Sequence, residues 1–337
     1  MRKVIMRCPA EGLNRREFVR TVSAGLVLFP ALGSTALAQT QAPRRSRVVL
    51  VRTSDRKKGV TEALKLMDLR GMAGKRVVLK PNFNSADATP GSTHNDTLSQ
   101  LVTEIQSRNA RNITLAESCG PGVTRTVMEK KGTFDLARDL RFDIVNFEEM
   151  PDSDWVLIPP AGTHWPEGFH LPRVVVDSEY TVSTCCLKTH RWGVYTMALK
   201  LSVGLTPKPI RKGMHSSPDM RRMIAELNTG YKPSLIVLDG VAVFTDGGPS
   251  EGELKQGNVM IAGDDRIAVD AVGLAMLKSL GANKEIMGRG IFQQEQMVRA
   301  VELKLGASGP DAIEIVTPPD AESRALADTL RPILAQG

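Results

Sequence analysis

The sequence predicts an α/β fold, a mostly parallel sheet with helices packed against it. Two observations carry this. Short apolar runs alternate with segments of helical spacing through the first half of the chain. Those runs are continuous rather than alternating with polar residues, the pattern of strands buried on both faces. Strand–helix–strand repeats of this kind favour parallel pairing through right-handed crossovers. Roughly 300 residues remain once a leading segment is set aside, the upper end for a single core, so the chain forms either one unit or two closely joined lobes.

Taken in order, residues 47–52 are a β-branched run and the first strand. Ala63, Leu64, Leu66 and Met67 give residues 60–69 helical spacing. Residues 76–80 make the second strand, stopped by Pro81. Asp96 is the expected cap of a helix striped by Leu98, Leu101, Val102 and Ile105. A third strand, 112–117, breaks at Cys119-Gly120-Pro121-Gly122; a helix over 123–131 and a fourth strand over 142–147 follow. From 150 to 173 the pattern lapses into Pro, Gly, His and Trp, which predicts a hairpin or lid loop and marks where a lobe boundary would fall. His164 and His170 lie there as loop residues, since Pro166 forbids a helix between them.

Regular structure is expected to resume at 173–176 and a strand at 180–187, and Ser217-Pro218 opens a helix with Met223, Ile224 and Leu227 on its apolar stripe. Further strands are expected at 235–240 and 258–262, then a helix over 267–280 capped by Asp264 or Asp265. The domain read this way runs over 43–305 and is Rossmann-like in its order of elements. Residues 306–337 add a strand and a terminal helix.

Residues 1–42 read as a signal peptide and linker. Arg15-Arg16, with Phe18 two residues later, precedes the weakly apolar run 21–37 and the small-x-small site Ala36-Leu37-Ala38. These features resemble a twin-arginine signal, with cleavage near Ala38 and a periplasmic destination reached through the twin-arginine export machinery. The apolar run is too short and too broken by Gly and Pro for a spanning helix, so no stable membrane span is expected after cleavage. Six basic residues against two acidic ones up to Ala38 account for +4 of the net +7. The remaining charge forms no basic stripe interleaved with aromatics, which argues against nucleic acid as a partner. Cys119, Cys185 and Cys186 are the thiols left beyond the signal and fall in no CxxC pattern, so no iron–sulfur cluster is expected from this chain.

Ionisable residues recur at predicted strand ends: Lys80, Glu117, Lys188 and Asp239. In open parallel sheets, ligands bind outside the carboxyl ends of the strands, where loops gather side chains from several directions. Asn82 follows Lys80; His190 follows Lys188; Lys200, Lys212 and His215 come soon after. Such cationic groups are costly to bring together unless they meet something anionic or metallic. Asp239 leads into a glycine-dense loop containing Gly248 and Gly252, a candidate for binding phosphate or carboxylate through backbone N–H groups. The loop lacks the closing Lys-Ser/Thr of a P-loop, and no GxGxxG occurs, which argues against a nucleotide. Asp270 lies within an apolar helical segment and is expected to face inward or bond a lysine.

The ordered set Lys80-Pro81-Asn82, Ala116-Glu117-Ser118, Lys188-Thr189-His190, Ala198-Leu199-Lys200, Gly204, Lys212 with His215, Asp239-Gly240, Gly248-Pro249 with Gly252, and Val269-Asp270-Ala271 resembles the domain-of-unknown-function family 362 (DUF362). The resemblance spans roughly Val48 to Leu280 and groups these residues into one site; it assigns no activity. Family members fused to a ferredoxin-type iron–sulfur module differ from this chain, which has no such cysteines.

Three readings follow. In the first, an exported enzyme acts on a small anionic substrate: Lys80, Asn82, Lys188, Lys200, Lys212, Gly248 and Gly252 bind it. His190 or His215 moves protons, and Glu117, Asp239 or Asp270 orients them or serves as base. In the second, a divalent metal is held by His190, His215 and a carboxylate, Asp239 or Asp270. In the third, the protein is a non-catalytic periplasmic binder of an anionic ligand or cofactor.

Overall fold

The computed structural model describes residues 45–337, so the proposed signal peptide lies outside the described residues. Twelve strands are found among them: β1 Ser46–Arg52, β2 Arg76–Lys80, β3 Asn112–Glu117, β4 Asp143–Asn146, β5 Trp155–Ile158, β6 Phe169–Pro172, β7 Tyr180–His190, β8 Val194–Thr196, β9 Leu235–Gly247, β10 Gly252–Gln256, β11 Val259–Gly263 and β12 Ile313–Val316. Ten of them form one sheet in the order β12-β1-β11-β9-β7-β2-β3-β4, with β10 on β9 and β8 on β7; β5 and β6 make a separate hairpin. The stretch from β9 through β7, β2 and β3 to β4 is parallel, as is β12 on β1. The antiparallel pairs join β11 to β1 and β9, β10 to β9, and β8 to β7. The fold is therefore α/β, with a large, mostly parallel sheet between helices.

The continuous apolar runs are explained by packing on both faces. Along β1, Val48 and Leu50 join a core with the helices Arg266–Ser279 and Ala321–Ala335. Val49 and Val51 face the other way, into a core with the helices Arg56–Lys65 and Asn95–Ser107. The same alternation splits Ile236 and Leu238 from Leu235 and Val237 on β9. A third cluster joins Val78 of β2 and Ala116 of β3 to the β5–β6 hairpin and the helix Met220–Glu226.

Several elements differ from expectation for local reasons. The first helix begins at Arg56, because the Asp55 carboxylate accepts from Lys58 N and caps it. The second is capped by His94, whose Nδ1 accepts from Asp96 N at 3.1 Å, so Asp96 is the second helical residue rather than the cap. Arg173–Val176 is one helical turn. Its valines find no strand partner, and Val175 alone of the turn is fully buried, in the third cluster. Strand β7 continues to His190 and β9 to Gly247, each beyond its expected end. The helices Thr133–Leu140 and Lys208–His215 were not anticipated.

Candidate functional site

The carboxyl ends of β2, β3 and β7 lie side by side in parallel and open into a cavity of about 920 Å³. Seven Lys or Arg side chains and two carboxylates, Glu117 and Glu251, line it. Glu117 is already neutralised: its Oε1 meets Lys80 Nζ at 2.6 Å and accepts from Ser118 N, and its Oε2 accepts from Phe83 N. The cavity is therefore strongly cationic, and it occupies the place where such sheets bind ligands.

Its three lysines below the surface differ in how they are held. Lys80, ending β2, donates to Glu117 and to the Pro81 carbonyl. Burial pulls its pKa down while Glu117 resists. Lys188, in the last turn of register of β7, donates to the carbonyls of Gly91 at 2.6 Å and Pro249 at 3.1 Å. With no carboxylate bonded to it, burial lowers its pKa to about 8. Lys200 is 91 % buried and lines the cavity, yet its amine has no hydrogen-bond or ion-pair partner among the described residues. Burial, then the charges of Lys188 and Arg211, bring its pKa to about 7.

Lys200 is placed by two devices. It belongs to the one-turn helix Ala198–Leu201, whose first N–H groups, of Ala198 and Leu199, donate to the two Asp270 oxygens at 2.7 and 3.0 Å. Two N–H donors stabilise the carboxylate, but burial dominates and raises the Asp270 pKa to about 7. Gly193 lies against the lysine stem, where a Cβ would stand 2.8 Å from Lys200 Cε.

His190 ends β7 and is buried. Its Nδ1 accepts from the N–H groups of Trp192 and Gly193 at 3.2 and 3.1 Å, which leaves the ring proton on Nε2. Burial first, then Lys200, Lys188 and His215, hold its pKa far below the imidazole range. A histidine held this way is disposed to act as a neutral Nε2–H donor rather than to take up a proton near neutral pH. His215 sits on the helix Lys208–His215, its Nδ1 2.6 Å from the Arg211 carbonyl. Burial lowers its pKa also. Trp192, 57 % exposed, stands at the cavity between these two rings.

Of the residues named from sequence, Lys80, Asn82, Glu117, Lys188, His190, Lys200, Lys212 and His215 meet in this cavity. Asn82 brings a buried Oδ1 without a partner. Asp239 does not join them. It is in phase with Leu235 and Val237, so it faces the second core, where Arg56 Nε at 2.9 Å and Thr97 Oγ1 at 2.7 Å hold it. Asp270 reaches the site only through the turn that it caps. The expected site of two histidines and one carboxylate is therefore not assembled, and no group of three or more His, Cys, Asp or Glu side chains among the described residues is placed to hold a metal.

The glycine-dense loop also behaves differently from expectation. Gly248, at φ +75°, packs so closely that a Cβ would lie 2.1 Å from the Thr189 carbonyl. Gly252 starts β10, paired with Gly247. The glycines shape the turn between β9 and β10, and Pro249, Ser250 and Glu251 are what the loop presents to the cavity. The Pro249 carbonyl of this loop accepts from Lys188 Nζ, so it holds a lysine and not an anion.

Sequence reading missed Arg211 and Lys208. Arg211 is buried and donates to the carbonyls of Ser118, Cys119, Gly204 and Thr206, so all five of its N–H groups are used and it contributes charge alone. Lys208 pairs with Glu148. The signal was present: Lys208, Arg211, Lys212 and His215 recur at helical spacing, and all four line the cavity. Cys119, Cys185 and Cys186 are buried free thiols, and burial pushes Cys186 up to about 11.

The thylakoid-associated protein sll1697 of Synechocystis sp. is 26 % identical over 210 residues, which cover 59 % of this chain and 62 % of that protein. The lactate racemase apoprotein of Thermoanaerobacterium thermosaccharolyticum is similar with a TM-score of 0.46 and 12 % identity, over 84 % of this chain and 85 % of that one. The pattern of the domain of unknown function DUF362 matches residues 77–275, a span holding β2 from Val77 onward, the cavity with every side chain that lines it, and Asp270; the chain belongs to the DUF362 family.

Proposed function

We propose that this protein is an exported enzyme acting on a small anionic substrate, with Lys200 as the reacting base or nucleophile and His190 as a neutral hydrogen-bond donor. The observation that carries the reading is the amine of Lys200, buried in a cationic cavity and without a hydrogen-bond or ion-pair partner among the described residues. A lysine that is buried and then surrounded by positive charge loses its proton more readily near neutral pH, and an uncharged amine is the form that takes a proton or attacks carbon. His190 Nε2–H can donate to an oxygen that gains charge without becoming an acid itself. Lys188 and Lys212 supply the charge that draws in a carboxylate or phosphate.

Export rests on the Arg15-Arg16 signal, and cell fractionation with N-terminal sequencing tests it; protein confined to the cytoplasmic fraction with residue 1 intact would defeat it. The site reading is tested by titrating the purified protein with small carboxylates and phosphate, then repeating with Lys188→Met. Millimolar or tighter binding that the substitution weakens supports an anion site, whereas binding by neither protein removes it. Turnover of a bound compound separates the enzyme from a non-catalytic binder.

A further inference from the structure

We propose that the substrate is a small oxo acid and that Lys200 forms an imine with its carbonyl carbon, an inference resting on the reading of the cavity as an anion site. The three buried lysines supply the argument. Lys80 and Lys188 each aim N–H bonds at fixed protein acceptors, so their nitrogens are committed as donors. Lys200 has none among the described residues, and its stem is clamped by Gly193 while its turn is pinned by Asp270. Its lone pair is free and its position is fixed, the two requirements of a nucleophile.

The neighbouring groups suit a carbonyl compound that also carries a carboxylate. His190 presents Nε2–H, which polarises a carbonyl oxygen and stabilises the alkoxide formed on attack. Lys188 keeps one N–H beyond the two given to Gly91 and Pro249, and Lys212 stands exposed at the rim with no partner among the described residues. Either can hold the carboxylate. A group with negative charge but no carbonyl would leave the amine without an electrophile.

The step balances. The Lys200 nitrogen pair forms the C–N bond as the C=O π pair moves onto oxygen. A proton passes from nitrogen to that oxygen through solvent, giving a carbinolamine. The hydroxyl, protonated by solvent, then leaves as water while nitrogen forms the C=N bond. One water is lost, the carboxylate is unchanged, and no oxidant or reductant is needed. Burial first, then the charges of Lys188 and Arg211, bring the Lys200 pKa to about 7, so a reactive share of the amine is unprotonated near neutral pH.

The test is reductive trapping. Unsubstituted protein is treated with pyruvate and cyanoborohydride near neutral pH, digested, and every lysine is mapped by mass spectrometry. The expected result is near-stoichiometric N-carboxyethyl-lysine at Lys200, slowed by competing phosphate and lost in Lys200→Met. The map from the unsubstituted chain decides the matter even if that variant folds poorly. Pyruvate binding without an adduct at Lys200, or an adduct spread over Lys208 and Lys212, would overturn the imine while leaving the anion site intact. Binding of neither pyruvate nor phosphate would overturn both.

Discussion

At the scale of single residues, the cavity shows how context makes three lysines chemically unlike. Lys80 is neutralised by Glu117, Lys188 is solvated by carbonyls, and Lys200 is left bare. The last case has a consequence for stability. A free lysine side chain titrates at 10.5 and Lys200 in the fold at about 7. Between those values the unfolded chain binds the extra proton, so this group makes the native state more stable as pH rises through that window. Lys200→Met removes the dependence. Its melting temperature is expected to exceed that of the unsubstituted protein most below neutral pH, with the gap narrowing as pH climbs, and thermal melts across that range check it. The Lys80–Glu117 pair behaves oppositely. Glu117→Ala leaves a buried ammonium and two buried N–H groups uncompensated, which is expected to cost about 3–5 kcal/mol in a denaturant titration.

At the scale of elements, a four-residue helix matters more than its length suggests. Ala198–Leu201 is too short to persist alone, and Asp270 on the helix Arg266–Ser279 fixes its amino end. Asp270→Ala orphans two buried donors at about 1–3 kcal/mol each and frees Lys200 to move. Asp270→Asn, with one acceptor oxygen, is expected to fall between. Urea denaturation measures the first effect and the yield of trapped adduct the second. This link also marks where sequence stops being informative. The strings Ala198-Leu199-Lys200 and Val269-Asp270-Ala271 can each be picked out, but only the packing of two distant helices shows that one serves the other. Lys80, Lys188 and His190 were legible because strand ends in a parallel sheet converge. Asp239 failed because β9 runs on past it: the residue is mid-strand, and its phase along the strand sends it to the opposite core. The helix Lys208–His215 was hidden by Pro209 and Gly213, which depress helical propensity, although its cations carried the period.

At the scale of the whole molecule, the buried-on-both-faces character of the strands was readable from composition, and the three cores bear it out. The antiparallel insertion of β11 between β1 and β9 was not, since nothing local distinguishes a strand's direction. The charge distribution has a global consequence. With Lys200 uncharged, six Lys and Arg cations still stand around the cavity against two carboxylates, so anion affinity is expected to weaken with added salt, more for the exposed Lys212 than for the buried Lys188, because screening over about 8 Å at physiological ionic strength acts mainly on exposed charge. Titrations of phosphate at rising concentrations of an inert salt, with and without Lys212→Ala, measure this.

The tryptophan at the cavity gives the protein an optical reporter of its own. Trp165 is buried in the third cluster and Trp155 is partly buried against it, while Trp192 lies open to solvent between His190 and His215. Its emission therefore carries most of the accessible part of the intrinsic fluorescence, and iodide should quench it preferentially. A molecule occupying the cavity would shield that indole and change its colour, so occupancy can be followed in unlabelled protein before any reaction is known.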